Sequence, residues 1–221
     1  MRFADGLSRR ANSVNARPDA AGDADAVITA CEQHYHAAGL PAIFRILSFA
    51  DPAMKDRLAA RGYTAEGESV VLSADIHDVF SEPDANVELS LESKTGWLSA
   101  MSKLQKHTDE KRKTYRKIIK SISVPAAYAT VRHKRRPVSL AYAVIHDKLL
   151  CFESVFTDEE MRRQGHARRM MAALVAWARA EGAEAVCLQV EAANEPAVKL
   201  YKGLGLKEVY RYHYRREPAR S

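Results

Sequence analysis

Three cysteines in 221 residues are too few for a disulfide framework, and Cys31, Cys151 and Cys187 are too scattered for a CxxC-type metal site. Long apolar runs are also missing. No window approaches the roughly 18 to 20 apolar residues of a membrane span, and the most apolar stretch, 170–178, is short and bordered by Arg168, Arg169 and Arg179. The first ten residues have no apolar core of the secretory kind. Two nucleotide-binding patterns are absent, the Gly-x-x-x-x-Gly-Lys-Ser/Thr loop and a Gly-x-Gly-x-x-Gly turn after a strand. With 47% apolar and 28% charged residues, wholesale disorder is excluded. The expectation is a soluble, reduced, cytoplasmic protein with no metal centre.

What is present is an uneven charge. Residues 1–90 carry 8 Lys+Arg against 14 Asp+Glu, net −6, and residues 91–221 hold the remaining 26 against 14, net +12. A split of this kind predicts two units, the second facing an anion. Nucleic acid, a membrane surface and a phosphorylated small molecule all fit that charge.

Along the chain, 7–17 reads as extended and 20–38 as a helix that Asp23 or Asp25 can cap. An apolar strand at 41–50 follows, then a helix opened by Asp51-Pro52 and closed at Arg61-Gly62, then a strand at 69–74. The acidic stretch 75–92, with Ser81-Glu82-Pro83-Asp84, reads as a linker. Residues 94–122 show one helical apolar stripe with a basic opposite face. Strands are expected at 126–132, 138–145 and 149–157, the first two around a basic turn at 133–137. The rest alternates: a loop at 158–164, a helix from Gly165 to about Glu181, a strand at 184–190, a helix capped by Asn194, and a last strand at 206–215. Asp51-Pro-Ala-Met-Lys55 echoes Glu195-Pro-Ala-Val-Lys199, each leading through a helix to a strand, so a duplicated fold competes with chance likeness.

The segment that carries chemistry is Arg162-Arg163-Gln164-Gly165-His166-Ala167, between a strand and a helix. A first helical turn has unpaired N–H groups and a positive dipole end, Gly165 admits a phosphate close to the main chain, and Arg162, Arg163 and Arg168 add formal charge. This is a pyrophosphate cradle by its physics; a plain basic loop at a helix start is the bland alternative. The run Arg162-x-x-Gly165-x-Ala167 resembles the Arg/Gln-x-x-Gly-x-Gly/Ala motif of the GNAT N-acetyltransferases, and Asn194-x-x-Ala197-x-x-Leu200-Tyr201 resembles that family's second cofactor region. Ala167 stands where a second Gly is more frequent, and Asp158-Glu-Glu160 is unusually acidic just ahead of the arginines, where it can pair with them.

The resemblance implies an α/β (mixed α+β) fold: a twisted, mostly antiparallel sheet with two splayed parallel strands, 149–157 and 184–190, and flanking helices. It divides the chain into a degenerate GNAT-like half, 1–88, and a catalytic domain, 89–221. It implies acetyl-CoA as co-substrate, held by main-chain groups of Val155, Phe156 and Thr157, by the segment Arg162, Arg163, Gln164, Gly165, His166, Ala167 and Arg168, and by Asn194 and Tyr201. His166 is expected at the cofactor mouth or in solvent. The reaction it implies is acetyl transfer to a primary amine by direct attack in a ternary complex. Deprotonating an amine of pKa near 10.4 at pH 7 costs roughly 4 to 5 kcal/mol. Glu153 is the first candidate base and Glu191 the second; a main-chain N–H near Val155 would face the oxyanion and Tyr201 would protonate the thiolate.

Each residue has a plainer reading. Tyr201 lies on the apolar face of its helix, Glu153 is readable as a structural carboxylate, and Cys151 and Cys187 as small buried hydrophobes rather than nucleophiles. His34 and His36 have poor metal geometry. Tyr210, Tyr212 and Tyr214 share one strand face that could line an acceptor site or simply be half buried. The expected partner is a small-molecule or peptide amine, with neither membrane nor nucleic acid, and a homodimer is allowed. Two other function classes stay open: a non-catalytic CoA-binding module, and nucleic-acid binding through the basic helix and turn.

Overall fold

The computed structural model describes residues 1–3, 8–15, 23–82 and 84–219. Along the chain come β1 (Val14–Asn15), α1 (Ala24–Ala37), β2 (Ile43–Leu47), α2 (Pro52–Ala60) and β3 (Thr64–Asp75). A 3-10 turn at Ile76–Asp78 leads to β4 (Val87–Ser90), α3 (Thr95–Leu104), α4 (Asp109–Lys120) and β5 (Ala126–His133). Then follow β6 (Arg136–His146), β7 (Leu149–Thr157), α5 (His166–Ala180), β8 (Ala185–Glu191), α6 (Glu195–Gly203) and β9 (Lys207–Arg216). The chain has two compact units: residues 1–71 with 191–193 and 210–221, and residues 72–190 with 194–209.

In the first unit the strand order is β1-β2-β9-β3, with β1–β2 parallel and β2–β9 antiparallel. Both helices start on acidic caps: Asp23 accepts from the Asp25 N–H, and Asp51 from the Ala53 N–H ahead of a Pro in the first turn. The beginning of the expected helix, 20–22, lies outside the described residues, as do parts of the extended stretch 7–17. One core gathers Ile28, Cys31, Tyr35, Phe44, Ile46, Leu58 and Tyr63. The other joins Ile43, Val71, Tyr212 and Tyr214, and the Arg45 guanidinium lies 3.8 Å over the Tyr212 ring. Tyr212 and Tyr214 are therefore core side chains rather than lining of an acceptor site; Tyr210 alone of the three stays partly exposed.

In the second unit the order is β3-β8-β7-β6-β5-β4. β4–β5, β5–β6 and β6–β7 are antiparallel, and β7–β8 is parallel, as the expected mixed fold requires. Two-residue turns, Lys134-Arg135 and Asp147-Lys148, close the β5–β6 and β6–β7 hairpins with positive φ at all four residues. α5 buries Met170, Met171, Leu174, Val175 and Ala178, the stripe that the 3.6-residue period demands.

Two expectations are corrected. The helix expected over 94–122 is two helices, because Lys106 takes a left-handed φ of 52° and the Thr108 hydroxyl caps a fresh start by accepting from the Lys111 N–H. The stretch 75–92, read as a linker, is folded. Arg179 donates to the carbonyls of Ile76, His77 and Val79 and to the Ser81 hydroxyl, Ile76 and Val79 are buried, and β4 pairs with β5. Its acidic surface residues conceal two core contacts; Pro83, inside it, lies outside the described residues. Gly205 completes this packing: a Cβ there would sit 2.7 Å from the Asp78 carbonyl oxygen, and its φ is +106°. Among the described residues, no helix is long and apolar enough to cross a membrane.

Candidate active site

β7 and β8 begin as an ordinary parallel pair, with Leu149 opposite Ala185, Leu150 opposite Val186 and Cys151 opposite Cys187. Pairing then stops, although β7 continues to Thr157 and β8 to Glu191. The cause is visible on the other edge of β7. Its register with β6 passes from Leu140–Phe156 to Tyr142–Glu153, so β7 holds one extra residue, and Ser154 has φ of 48°. A bulge of this kind bends its strand. Beyond Cys151 the edge of β7 that faced β8 has backbone groups without a strand partner, and Val155, Phe156 and Thr157 lie along it. Ser139 anchors the opposite edge, its hydroxyl donating to the Phe156 carbonyl at 3.1 Å and lying 2.7 Å from the Thr157 hydroxyl.

The chain leaves β7 through a 3-10 turn, Glu159–Met161, and enters α5 through Gly165 as N-cap. Arg163 and Gly165 both have positive φ, 59° and 78°, the kind of left-handed turn found in anion-binding backbone nests. The first helical hydrogen bond here is from the Arg169 N–H to the Gly165 carbonyl, so the N–H groups of His166, Ala167 and Arg168 have no helical acceptor. A Cβ on Gly165 would meet nothing within 4 Å, so the space in front of that backbone is open. The arginines are not equivalent. Arg162 donates to the Thr157 carbonyl at 3.4 Å and lies 3.8 Å from Glu159, joining the cradle to the end of β7. Arg168 stacks over Phe80 at 4.2 Å. Asp158 pairs with Arg136 at 3.1 Å, so of the acidic run only Glu159 meets one of the expected arginines, and Gln164 stays exposed.

His166 is not in solvent. It is 8% exposed, its Nδ1 accepts from the Arg169 guanidinium at 2.6 Å, and Nε2 is buried with no hydrogen-bond partner. Arg169 in turn pairs with Asp84 at 3.2 Å. Burial first, then the charges of Arg169 and His133, hold the imidazole below its ordinary pKa, so it is neutral at pH 7. Sequence pattern alone misses this network because Asp84 comes from a distant stretch.

The remaining candidates divide between the units. Asn194 caps α6, its side chain accepting from the Ala197 N–H at 3.3 Å, which leaves its amide NH2 as a donor. Tyr201 is 8% exposed, and burial pushes its phenol up to about 12. Glu153 is half buried on β7, and its charge helps burial push Tyr115 up to about 12. These residues and the cradle all belong to the second unit. Glu191 belongs to the first. It is the last residue of β8 rather than beyond it, its side chain is 64% exposed, and it pairs with Arg9 at 2.9 Å. A depression of about 390 Å³ in the second unit is lined by Phe156, Asp158, Glu159 and Glu160 together with Lys103, Lys106 and Arg136. Among the described residues, no group of three or more His, Cys, Asp or Glu is placed to hold a metal ion.

Comparison with known proteins bears on the family and the fold. Residues 1–215 match the family model described as "Probable histone acetyltransferase Rv0428c C-terminal". The chain is 26% identical over 214 residues to "Uncharacterized N-acetyltransferase YobR" of Bacillus subtilis (strain 168), covering 95% of this chain and 86% of that one. Among solved structures it resembles a GCN5-related N-acetyltransferase from Kribbella flavida, with a TM-score of 0.68, 19% identity, and coverage of 93% of this chain and 80% of that one. It also resembles a tandem GNAT protein from the clavulanic acid biosynthesis pathway, with a TM-score of 0.70, 11% identity, and coverage of 89% and 70%.

Proposed function

Since the chain belongs to the family described as probable histone acetyltransferase Rv0428c C-terminal, a GNAT N-acetyltransferase family, we propose that it moves an acetyl group from acetyl-CoA to a primary amine by direct attack in a ternary complex. The observation that carries this reading is the parting of β7 from β8 after Cys151–Cys187, with a left-handed glycine cradle at the start of the next helix. The donor set fits a pantetheine pyrophosphate. An unpaired strand edge suits an amide-bearing arm, and free first-turn N–H groups, open space before Gly165 and guanidinium charge suit two phosphates.

Bound acetyl-CoA supplies the activated acyl carbon; the chain supplies the rest. Val155 to Thr157 hold the arm, Gln164 to Arg168 with Arg162 and Arg163 hold the pyrophosphate, and the free Asn194 amide donates to the cofactor. Glu153 takes the amine proton directly or through water, and Glu191, which pairs with Arg9, is the second choice. A main-chain N–H near Val155 faces the carbonyl oxygen as charge builds there. Tyr201 faces the leaving sulfur. Its phenol, raised to about 12, stays protonated at neutral pH. Full proton transfer to a thiolate of pKa about 8.5 would run uphill by roughly 5 kcal/mol, so its contribution is a hydrogen bond that stabilises the leaving sulfur before solvent protonates it.

The acceptor is a small-molecule or peptide amine. The family description adds a protein lysine to the panel. Cytoplasmic residence is part of the same reading, and a homodimer is to be sought by light scattering. That residues 1–88 are a worn copy of the catalytic domain, 89–221, is supported by the matching order α1-β2-α2-β3 and α5-β8-α6-β9, each second helix having an Asx cap and an early Pro. The test is release of free CoA thiol from acetyl-CoA across amines, amino acids, polyamines and lysine peptides. Turnover on at least one class is expected. Acetyl-CoA binding with no turnover on any would favour a non-catalytic CoA-binding module, and salt-sensitive DNA affinity without acetyl-CoA binding a nucleic-acid protein.

A further inference from the structure

The last rung of the β7–β8 ladder is a pair of cysteines. Cys151 and Cys187 are register partners, so their side chains leave the same face of the sheet, and their sulfurs lie 3.3 Å apart. Neighbouring strands are spaced about 4.8 Å apart, inside the range of Cα separations that a disulfide spans. The face matters. Leu150, Phe152, Val186 and Leu188 alternate into the core, whereas Cys151, Glu153, Cys187 and Gln189 are only half buried on the other side. The third cysteine is different: Cys31 sits in the core of the first unit, and burial raises its thiol above the ordinary value.

We propose that Cys151 and Cys187 form a redox pair, closed to a disulfide by a peroxide and reopened by a dithiol, that ties β7 to β8 where the two strands part and so slows acyl transfer. The effect on turnover rests on the acyl-transfer reading; the cross-link does not. The chemistry is a two-electron oxidation. The Cys151 sulfur attacks one peroxide oxygen; an S–O bond forms, the O–O bond breaks, and the leaving hydroxide takes the thiol proton as water. The Cys187 sulfur then attacks the Cys151 sulfenic acid; the S–S bond forms, the S–O bond breaks, and the second hydroxide leaves as water with the Cys187 proton. Both thiols are oxidised and one peroxide is reduced to two waters. Cys151 is the attacking group because its hydrogen bond with Cys187 holds its thiol below the ordinary value, against burial and the Glu153 charge. The pair adjoins the chemistry: Glu153 is two residues along the same face, about 7 Å away at strand rise. Closing the bond moves the rung from which the opening spreads, and a 1 Å displacement near reacting groups costs up to about a hundredfold in rate.

The test uses the full chain treated with hydrogen peroxide, then denatured, thiol-titrated and mapped by non-reducing peptide mass spectrometry. Titratable thiols fall from three to one, a Cys151–Cys187 cross-linked peptide appears, and dithiothreitol restores all three. Turnover falls about tenfold or more with the cross-link and returns on reduction. Cys151→Ser and Cys187→Ser turn over at a rate that peroxide no longer changes; Cys31→Ser responds as the wild type does. Thiol loss without the cross-linked peptide overturns the proposal, and so does cross-linked protein that turns over as fast as reduced protein. Mapping the wild type needs no variant to fold. A reduced chain inactive on every amine would count against the acyl-transfer reading, and the cross-link would still be measured.

Discussion

Gly165→Asp places one carboxylate in the mouth of the α5 cradle and so tests what the cradle binds. In the free protein the change costs backbone strain but meets no neighbour. A Cβ at this position meets nothing within 4 Å, so packing is undisturbed. The φ of +78° adds strain of about 1–2 kcal/mol for a residue with a Cβ, and Asp is among the side chains that accept this region most readily. Against a bound pyrophosphate the effect is large. A carboxylate about 4 Å from a phosphate charge costs about 4 kcal/mol at an effective dielectric near 20, close to a thousandfold in affinity. Gly165→Ala separates the terms: it carries the strain without the charge, and the strain is common to free and bound chains, so its affinity for acetyl-CoA stays within about tenfold of the wild type. Calorimetric titration with acetyl-CoA measures all three proteins, and circular dichroism checks the fold. Added salt narrows the gap between the Asp and Ala variants, because screening acts on the charge and not on the strain. An Asp variant that binds acetyl-CoA as tightly as the wild type would refute the cradle.

Three further outcomes follow from particular contacts. Tyr201→Phe lowers turnover by about 10- to 100-fold, the scale of one hydrogen bond lost from a charged group, and lowers it more than acetyl-CoA affinity; equal turnover returns Tyr201 to the core. Gly205→Ala drives a Cβ against the Asp78 carbonyl at 2.7 Å in a left-handed conformation, and chemical denaturation should report a loss of about 1–3 kcal/mol; unchanged stability would mean that the 75–81 segment yields freely. Stability also falls with pH. Burial holds His107, His166 and His213 below their ordinary pKa, so the unfolded chain binds protons first. Their stabilising effect is complete above about pH 6.5 and is lost as pH falls from there through the folded values. The melting midpoint should drop across that window, and less steeply in His166→Asn, whose amide oxygen replaces Nδ1 as acceptor for Arg169. A slope unaltered by that substitution would remove His166 from the account.

Local rules carried most of the element order. Asp23 and Asp51 beside apolar periodicity announce α1 and α2, and the α5 stripe and the β5–β6–β7 hairpins follow from spacing and turn residues. Local rules failed where a short-range signal was weaker than a longer pattern. The apolar stripe of 94–122 runs straight through the break at Lys106, and only the Thr108 cap betrays it. The acidic composition of 75–92 masked Ile76, Val79 and β4, whose partners lie far along the chain. The same limit hid the role of Arg179, four of whose acceptors come from that stretch.

The candidate site divides in the same way. Arg162-x-x-Gly165 before a helix, and Asn194 with Tyr201 on the next one, are legible in one dimension because a helix start carries its own unpaired N–H groups and dipole wherever it sits. The charge surplus of the second half is not a site by itself, since the Lys and Arg side chains of α4 face solvent around a buried Tyr115 and Ile119. Only tertiary structure decides which cations are spent. Arg168 lies on Phe80, Glu191 pairs with Arg9, and His166 is turned inward to Arg169 and Asp84. It alone sets Cys151 against Cys187 where a bulge at Ser154 parts two strands. Sequence determines helix ends, turns and apolar faces, because those are settled within a few residues. Charge partners, a buried imidazole and the spacing of two sulfurs depend on segments that only the completed sheet brings side by side.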